Sequence, residues 1–453
     1  MNILPASPDR TETSEQINTC MNDMQKWNFN VAYNAFYAFP LEEVNGIYRK
    51  NYTEFVEKAH ERGFPACIQI QSTVGYIEDV DLENAQYYTD NTTYVYQHYV
   101  RYGKKNFFGS FAAPGWMDYI KKVARIFRDF GFDWVVFEEP MYRSDIPGTK
   151  DKLYDIFKDE YPDLEYPTHQ VESVAYQRLQ ELKSQVLVDF YRKLADFSKQ
   201  IGFEKCGIMP WFFTPTFENT PMETWNTCCH LGKLTFLPDM DFIVVRMQPD
   251  NVYCEAVIGT GGECIPQISY LENLSQNLGK PIISVNNPTN EHIPDSADTA
   301  DNLLPYEYFA RFTLAAAAAA PGGMSRHWYG KDYGKDLKHM ELMTRVNPCL
   351  DKMDDPVSPA ATVFSYVGMF RTCPRPWTES WKSIWKMLYP LLYREKFPVL
   401  NFFADTLKQS LEIHPETRVL ILNEYFPVSS EETELLENWL SEDGSRRIIY
   451  IGG

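Results

Sequence analysis

Short apolar runs alternate with stretches of helical spacing along most of the chain. The runs are rich in β-branched and aromatic residues, a pattern typical of strands buried on both faces. They predict eight strands, at residues 2–6, 30–39, 66–71, 134–137, 206–212, 241–246, 281–287 and 322–328. Helices are predicted at residues 15–27, 52–62, 116–130, 171–201, 269–278 and 306–320, with Ser14 as the first N-cap. Eight strands that alternate with helices predict a (β/α)8 TIM barrel, an α/β fold.

The alternation restarts after a turn-rich segment, Asp354–Pro359. Beyond it the pattern predicts strands at residues 362–366, 398–402, 418–422 and 447–451, and helices at residues 379–395 and 430–440. Such alternation predicts an open parallel sheet of the flavodoxin-like type. We therefore expect a barrel domain over residues 1–353 and a smaller α/β domain over residues 354–453. The chain stops after a strand whose flanks are typical of an internal position, so we expect the second domain to be incomplete.

The fourth predicted strand carries the strongest candidate chemistry. Its apolar residues run directly into Glu138 and Glu139, and Pro140 follows. Barrel enzymes place their catalytic residues at the C-terminal ends of strands. Because consecutive strand residues point to opposite faces, only one of the two glutamates faces the barrel interior if the strand stays regular, and the sequence does not say which. A strand-end ion pair, for example with Arg143, is the competing interpretation.

Two segments are too long to be simple connections between a strand and a helix. Residues 72–114 are polar and rich in tyrosine, and residues 142–170 are rich in charge. Segments of this length inside a compact domain are usually functional. We expect residues 72–114 to form a loop or hairpin over one end of the barrel.

Composition narrows the class of partner. The 43 basic and 62 acidic residues give a formal net charge of −19, which repels a phosphate backbone and argues against nucleic acid. The nine cysteines are scattered and show no C-x2-C spacing, so we expect free thiols, a reducing compartment and no metal site. There is no signal-peptide pattern and no run of 18 apolar residues. We expect a cytoplasmic protein with no membrane association, or a secreted or periplasmic one if a leader has been removed.

Three stretches resemble glycoside hydrolase family 42 β-galactosidases and related glycosidases. Ala113–Glu139 is similar to their run of helix, glycine, apolar strand and terminal acid. Ala310–Ala316 resembles the helix before their last strand, and Arg418–Gly453 resembles part of their trimerisation domain. The resemblance implies a glycosidase barrel followed by a class I amidotransferase-like domain. It also implies a carbohydrate substrate, no cofactor, and a homo-oligomer, either dimer or trimer.

Glycoside hydrolysis needs two carboxyl groups. In family 42 the acid/base is a Glu at the end of the fourth strand, and the nucleophile is a Glu at the end of the seventh. Here the seventh strand ends in Asn286 and Asn287, so we rank the nearby Glu291 first as the second acid. The other candidates are Asp250, Glu255, Asp295 and Asp332. Because α-fucosidase-like barrels place the nucleophile on the fourth strand, the role of Glu138 or Glu139 could be reversed.

Polar and aromatic residues at other strand ends are the candidates for sugar binding. They are Tyr33, Asn34, Gln69, Trp211, Arg246, Asn286, His327 and Trp328, with Gln71 and Tyr329 beside them. Core packing, or an ion pair for Arg246, is the competing interpretation. Two functions stay open: a hydrolase with a pair of carboxylates at the C-terminal face of the barrel, and a catalytically silent carbohydrate-binding or scaffold barrel that has lost the seventh-strand acid.

Overall fold

The structure is a computed structural model. The residues that it describes are 1, 3–6, 11–36, 38–76, 78–88, 106–142, 149–167, 173–210, 233–234, 236–247, 280–286, 306–307, 310, 313–314, 323–326, 337–346, 348–349, 358–364, 397, 399–423 and 430–451.

The strands of the described residues are numbered in chain order. They are β1 (Ile3–Ala6), β2 (Val31–Phe36), β3 (Ala66–Gln71), β4 (Val74–Tyr76), β5 (Tyr87–Tyr88), β6 (Asn106–Phe108), β7 (Trp134–Glu138), β8 (Thr149–Lys150), β9 (Lys205–Met209), β10 (Phe242–Met247), β11 (Ile282–Asn286), β12 (Gly323–Arg326), β13 (Ala360–Phe364), β14 (Leu400–Phe403), β15 (Val419–Asn423) and β16 (Arg447–Ile451).

The α-helices of the described residues are numbered in the same way. They are α1 (Ser14–Lys26), α2 (Leu41–Asn45), α3 (Arg49–Glu61), α4 (Pro114–Asp129), α5 (Leu153–Glu160), α6 (Val174–Gln200), α7 (Leu337–Val346), α8 (Leu407–Ile413) and α9 (Ser430–Glu442). The helix expected at residues 306–320 is helical at the few positions described there, and those expected at residues 269–278 and 379–395 lie outside the described residues.

Eight parallel strands close into a barrel, as the alternating pattern predicts. They are β1, β2, β3, β7, β9, β10, β11 and β12, and their order around the barrel follows their order along the chain. The short strand β1 pairs with both β2 and β12 and so closes the ring. All the strands in the barrel are parallel, so the C-terminal ends of all eight lie at the same end of the barrel.

The barrel strands are mostly apolar because both of their faces are buried. One set of alternate residues packs inside the barrel: Val31, Tyr33, Cys67, Trp134, Val136, Met209, Phe242, Val244, Ile283 and Val285. The intervening residues pack outside, against the helices. Gly207 makes room for this interior, since a Cβ there would lie 2.6 Å from the Phe242 ring. The barrel therefore holds a packed core rather than an open pore.

The helix termini depend on short polar contacts. Helix α1 is capped by Thr13 and not by the predicted Ser14: Gln16 N donates to Thr13 Oγ1 at 3.2 Å, and Thr13 N donates to Gln16 Oε1 at 2.9 Å. This reciprocal pair is a capping box, which the Thr-x-x-Gln spacing carries and which Ser14 cannot form. Helix α4 begins with Pro114 and is followed by Gly131, whose φ of 98° disfavours residues with a Cβ.

The two long segments of the sequence are joined to each other. Strand β4 pairs with β6 in antiparallel fashion. The segment after β3, expected to be a loop or hairpin, thus contains an antiparallel strand pair, here called the β4–β6 hairpin. Strand β5 of this segment pairs with β8 of the segment after β7, again antiparallel. Both segments leave from the C-terminal ends of neighbouring barrel strands. They therefore form a single joined structure at this end.

A second, four-stranded parallel sheet has the order β14–β13–β15–β16. Its core contains Val363, Phe402, Leu420, Leu436 and Trp439. The order by position along the chain is 2-1-3-4, which is how a flavodoxin-like sheet begins, and the predicted open parallel sheet is confirmed for these strands. Within the described part of the chain, no helix is long and apolar enough to cross a membrane.

Candidate active site

The end of β7 places both adjacent glutamates in buried positions. Glu138 is the last strand residue and is 3% exposed, and Glu139 is 4% exposed. The strand does not stay regular, because Glu139 has a φ of 55°. That left-handed conformation ends the regular alternation of faces after Glu138, so the side-chain direction of Glu139 is set by its own contacts and not by the strand. A positive φ costs a residue with a Cβ about 1–3 kcal/mol, and such strain is often found at functional sites.

Glu138 continues the inner face of β7. Trp134 and Val136 pack in the barrel interior, and Glu138 is the next residue at the same spacing. Its carbonyl oxygen accepts a hydrogen bond from Ser72 Oγ at 2.7 Å, and Ser72 Oγ lies 2.5 Å from Tyr191 OH. Because the Ser72 proton points at Glu138, Tyr191 is the donor of the second bond. The backbone of Glu138 is thus fixed to β3 and to α6.

Glu139 is held through both its backbone and its carboxylate. Its N–H donates to Met209 O at 2.9 Å, and its carbonyl oxygen accepts a short bond from Thr73 Oγ1. Gln71 Nε2 donates to Glu139 Oε2 at 2.5 Å. Thr73 N donates to Gln71 Oε1 at 3.0 Å, and because an N–H can only donate, this bond fixes which end of the Gln71 amide faces Glu139. The carboxylate therefore has a defined orientation.

Tyr33 and Gln69 form a second polar contact inside the barrel. Tyr33 OH donates to Gln69 Oε1 at 2.5 Å and lies 4.0 Å from Met209 Sδ. Burial raises the pKa of Tyr33 well above its usual value, with smaller contributions from Cys67 and from the negative charge of Glu138. Tyr33 is therefore a neutral hydrogen-bond donor at ordinary pH. Gln69 Nε2 is buried and has no hydrogen-bond partner among the described residues, so one donor stays available at this position.

Asn34 is not brought to this site. Its neighbours Tyr33 and Ala35 lie on the inner face of β2, whereas Asn34 lies on the outer face between Ala32 and Phe36. Asn34 Nδ2 donates to Thr11 Oγ1 at 3.2 Å, and Asn34 Oδ1 accepts from Ala35 N at 2.8 Å. Strand alternation thus directs Asn34 away from the barrel interior, and its expected role in substrate binding stays a prediction.

The other predicted site residues are placed only in part. Arg246 pairs in register with Val285, and Asn286 pairs with Met247 and Arg326, so both lie at the C-terminal ends of barrel strands. Their side chains are outside the described part of the structure. Trp211, Glu291, His327 and Trp328 lie outside the described residues, as do the alternative acids Asp250, Glu255, Asp295 and Asp332 and the candidate partner Arg143.

A buried polar network that the sequence did not predict lies close to the two glutamates along the chain. Ser110 Oγ donates to Asp151 Oδ2 at 2.7 Å, and Tyr142 OH donates to the same oxygen. Leu153 N donates to Asp151 Oδ1 at 2.9 Å. Burial, followed by the charge of Asp151, raises the pKa of Tyr142 well above its usual value. The network joins both long segments to Tyr142, which lies two positions after Pro140. In the sequence, only this nearness to Glu139 indicates that Tyr142 lies near the site.

Among the residues that the structure describes, no group of three His, Cys, Asp or Glu side chains is placed to hold a metal ion. The polar side chains gathered inside the barrel and at the C-terminal ends of β3 and β7 are carboxylates, amides and hydroxyls. Such groups can bind hydroxyl-rich ligands and can transfer protons.

No family model and no curated protein matches this chain. Solved structures do match. A GH5_18 protein from Bifidobacterium longum subsp. infantis superposes with a TM-score of 0.52 at 14% identity, over 96% of this chain and 99% of that one. A Streptomyces cattleya GH5_18 protein in complex with GlcNAc gives a TM-score of 0.51 at 10% identity, over 93% and 98%.

The chain has the fold of TIM-barrel glycoside hydrolases. A third similar structure is a variant of a Bifidobacterium longum subsp. longum GH5_18 protein in complex with Manb1-4GlcNAc, with a TM-score of 0.53 at 11% identity, over 95% and 99%. The chain also spans 38% of the length of a Paenibacillus cycloisomaltooligosaccharide glucanotransferase, with a TM-score of 0.42. The family 42 resemblance is supported only at the level of barrel glycoside hydrolases.

Proposed function

We propose that the protein is a glycoside hydrolase with Glu139 as the general acid/base. One observation carries the proposal: at the C-terminal end of the fourth barrel strand, Glu139 is buried in a left-handed conformation and its carboxylate accepts a hydrogen bond from Gln71. Catalytic groups of TIM-barrel enzymes lie at this face. A residue held in a strained conformation by contacts from three other residues fits a group whose position matters for chemistry.

The reaction starts with proton transfer. The protonated Glu139 gives its proton to the glycosidic oxygen as the bond from that oxygen to the anomeric carbon breaks, and the bonding electrons stay on the departing oxygen. As that bond breaks, a second carboxylate acts in one of two ways. Either it bonds to the anomeric carbon, and water deprotonated by Glu139 then attacks that carbon and releases the carboxylate, or it removes a proton from the water that attacks the anomeric carbon directly. We propose Glu291 for this role. The distance between the two carboxyl groups decides the outcome, with about 5–5.5 Å for retention and about 6.5–9.5 Å for inversion.

We propose that three side chains inside the barrel form the floor of the sugar-binding site: Glu138, Tyr33 and Gln69. Glu138 and Gln69 lie on the inner face of neighbouring strands, and Tyr33 reaches Gln69 from the next strand. They supply a carboxylate acceptor and an amide donor, the groups that sugar hydroxyls pair with. We propose that Arg246, Asn286, Trp211, His327 and Trp328 complete the site from the other strand ends.

We also propose that the second parallel sheet belongs to an amidotransferase-like domain of the trimerisation type, starting near residue 354, and that the protein assembles as a homodimer or homotrimer. The 2-1-3-4 strand order supports a doubly wound domain. The resemblance of Arg418–Gly453 to a trimerisation domain supports assembly.

A screen of aryl glycosides followed by substitution of the glutamates tests the proposal. The panel should contain β-mannosides and N-acetyl-β-glucosaminides, because the similar GH5_18 structures hold Manb1-4GlcNAc or GlcNAc, and β-galactosides, because of the family 42 resemblance. We expect Glu139→Gln to lower kcat/KM by about 10²–10⁴-fold, the usual contribution of a general acid. Glu138→Gln should raise KM more than it lowers kcat.

Glu57→Gln is the matched control, because Glu57 is an exposed glutamate of helix α3. It should leave turnover unchanged. An unchanged kcat/KM in Glu139→Gln for an aryl glycoside whose leaving group needs a proton would end the catalytic assignment. Binding of a sugar by the wild-type protein, with no turnover of any glycoside in the panel, would instead favour a catalytically silent binding protein.

A further inference from the structure

Gln71 donates a hydrogen bond directly to the Glu139 carboxylate. It is 2% exposed, and it lies at the end of β3, beside Glu138 of β7 in register. The simplest role of a buried amide is to form hydrogen bonds with other buried polar atoms. The way Gln71 is itself held points to a more specific role.

The orientation of the Gln71 amide is not free. Thr73 N donates to Gln71 Oε1 at 3.0 Å, so the NH2 group must face the carboxylate of Glu139. Thr73 also donates through its hydroxyl to the carbonyl oxygen of Glu139. Thr73 thus fixes both the amide of Gln71 and the backbone of Glu139. The side chains of Gln71 and Glu139 therefore keep a constant position relative to each other.

This geometry bears on which oxygen carries the hydrogen when Glu139 is protonated. In a protonated carboxyl group the hydroxyl oxygen carries hydrogen, and the carbonyl oxygen is the better acceptor. Oε2 accepts the N–H of Gln71, so Oε2 is the carbonyl oxygen and the proton belongs on Oε1. When that proton leaves, the same N–H stabilises the negative charge that develops on the carboxylate.

We propose that Gln71 is a positioning residue that fixes the Glu139 carboxyl group so that Oε1 gives its proton to the leaving group. The inference rests on the proposed function, because it assumes that Glu139 is the general acid. It goes further in naming the oxygen that reacts and the residue that selects it. Loss of Gln71 should therefore impair proton donation specifically, and not substrate binding or the fold.

Leaving-group dependence separates this role from a structural one. A 2,4-dinitrophenolate departs without a proton, whereas a phenolate needs one, so a defect in the general acid is visible only with the phenyl glycoside. We expect Gln71→Met, which keeps the length of the side chain, to lower kcat/KM for the phenyl glycoside about 10–100-fold. For the 2,4-dinitrophenyl glycoside of the same sugar we expect a change of less than about threefold.

Gln86→Met is the matched control. Gln86 is also a fully buried glutamine, but its Nε2 donates at 3.1 Å to the backbone oxygen of Gly109 and not to a carboxylate. It should show no difference between the two glycosides. If Gln71→Met does not fold, Gln71→Asn retains the amide but withdraws it from Glu139 by one methylene group, and it should show the same selective loss.

The outcomes distinguish the two proposals. Equal losses on both glycosides, or no loss on either, in a folded Gln71 variant would overturn the positioning role. If Glu139→Gln shows the selective loss and the Gln71 variants do not, the general acid stands and Gln71 is only structural. If Glu139→Gln itself shows no selective loss, Glu139 is not the general acid and the proposed function is wrong, whatever the Gln71 variants show.

Discussion

Cys20 illustrates at the scale of one residue how burial decides chemistry in this fold. Its thiol is fully buried in helix α1, and burial, with a smaller contribution from Asp23, raises its pKa from 9.0 to about 12. Between these values the folded protein keeps a proton that the unfolded chain releases. The resulting stabilisation is fully present below pH 9 and is lost as pH rises towards about 12. Cys20 is therefore a packing group and not a reactive thiol.

Site-resolved alkylation at pH 8 checks this interpretation. Iodoacetamide should modify Cys349, which is free and exposed, within minutes, and should modify the buried Cys20, Cys67 and Cys206 at least about 100-fold more slowly. In urea all four should react at similar rates, which serves as the control for intrinsic reactivity. Rapid modification of Cys20 in the native protein would show that helix α1 opens readily, and would contradict its placement in the core.

At the scale of secondary-structure elements, Trp116 of helix α4 packs against the β4–β6 hairpin and so joins the barrel to this long segment. Trp116 belongs to helix α4, is fully buried, and donates through Nε1 to Ser72 O at 3.2 Å. Its ring lies against two glycines: a Cβ on Gly75 would come within 2.6 Å of the ring, and one on Gly109 within 2.0 Å. The hairpin can approach α4 only because both residues lack a side chain. Ser72 in turn holds the carbonyl oxygen of Glu138, so this packing supports the site.

Gly109→Ala should therefore destabilise the protein by about 1–3 kcal/mol, the usual cost of overpacking a core. Urea unfolding followed by tryptophan fluorescence measures this change. Gly444→Ala is the control, because a Cβ at Gly444 would meet nothing within 4 Å. The double variant with Trp116→Leu, which removes the clashing ring, should show less than the sum of the two single losses. Strict additivity would mean that the ring and Gly109 do not touch.

At the scale of the whole molecule, the sequence predicts architecture better than it predicts sites. Barrel strands are recognisable because parallel strands buried on both faces are mostly apolar, and even the short strand Ile3–Ala6 takes its predicted place. The backbone conformation of Glu139 could not be predicted in this way. Its positive φ is held by contacts with Met209 and Thr73, which are distant in sequence. Asn34 was assigned by its position at a strand end, and only register shows that it faces the helices.

The likeness to GH5_18 structures extends over more than nine tenths of the chain, and therefore into the residues that form the second parallel sheet. That sheet also exposes large apolar side chains on β16, with Tyr450 54% and Ile449 47% exposed. Isolated apolar residues are ordinary on a surface, and these two point to opposite faces of β16 because they are consecutive in the strand. Tyr450, the more exposed of the two, is the candidate for an interface in a domain proposed to assemble.

Light scattering coupled to gel filtration on the full chain tests that assembly. We expect twice or three times the chain mass of 52.8 kDa. Tyr450→Glu places a charge in an apolar contact, which should shift the population towards the monomer, because burying an unpaired carboxylate costs several kcal/mol. Ile47→Glu is the control, since Ile47 is 73% exposed and precedes helix α3 of the barrel. A wild-type protein that runs as a monomer at all concentrations would contradict the assembly; an oligomer unaffected by Tyr450→Glu would place the interface away from β16.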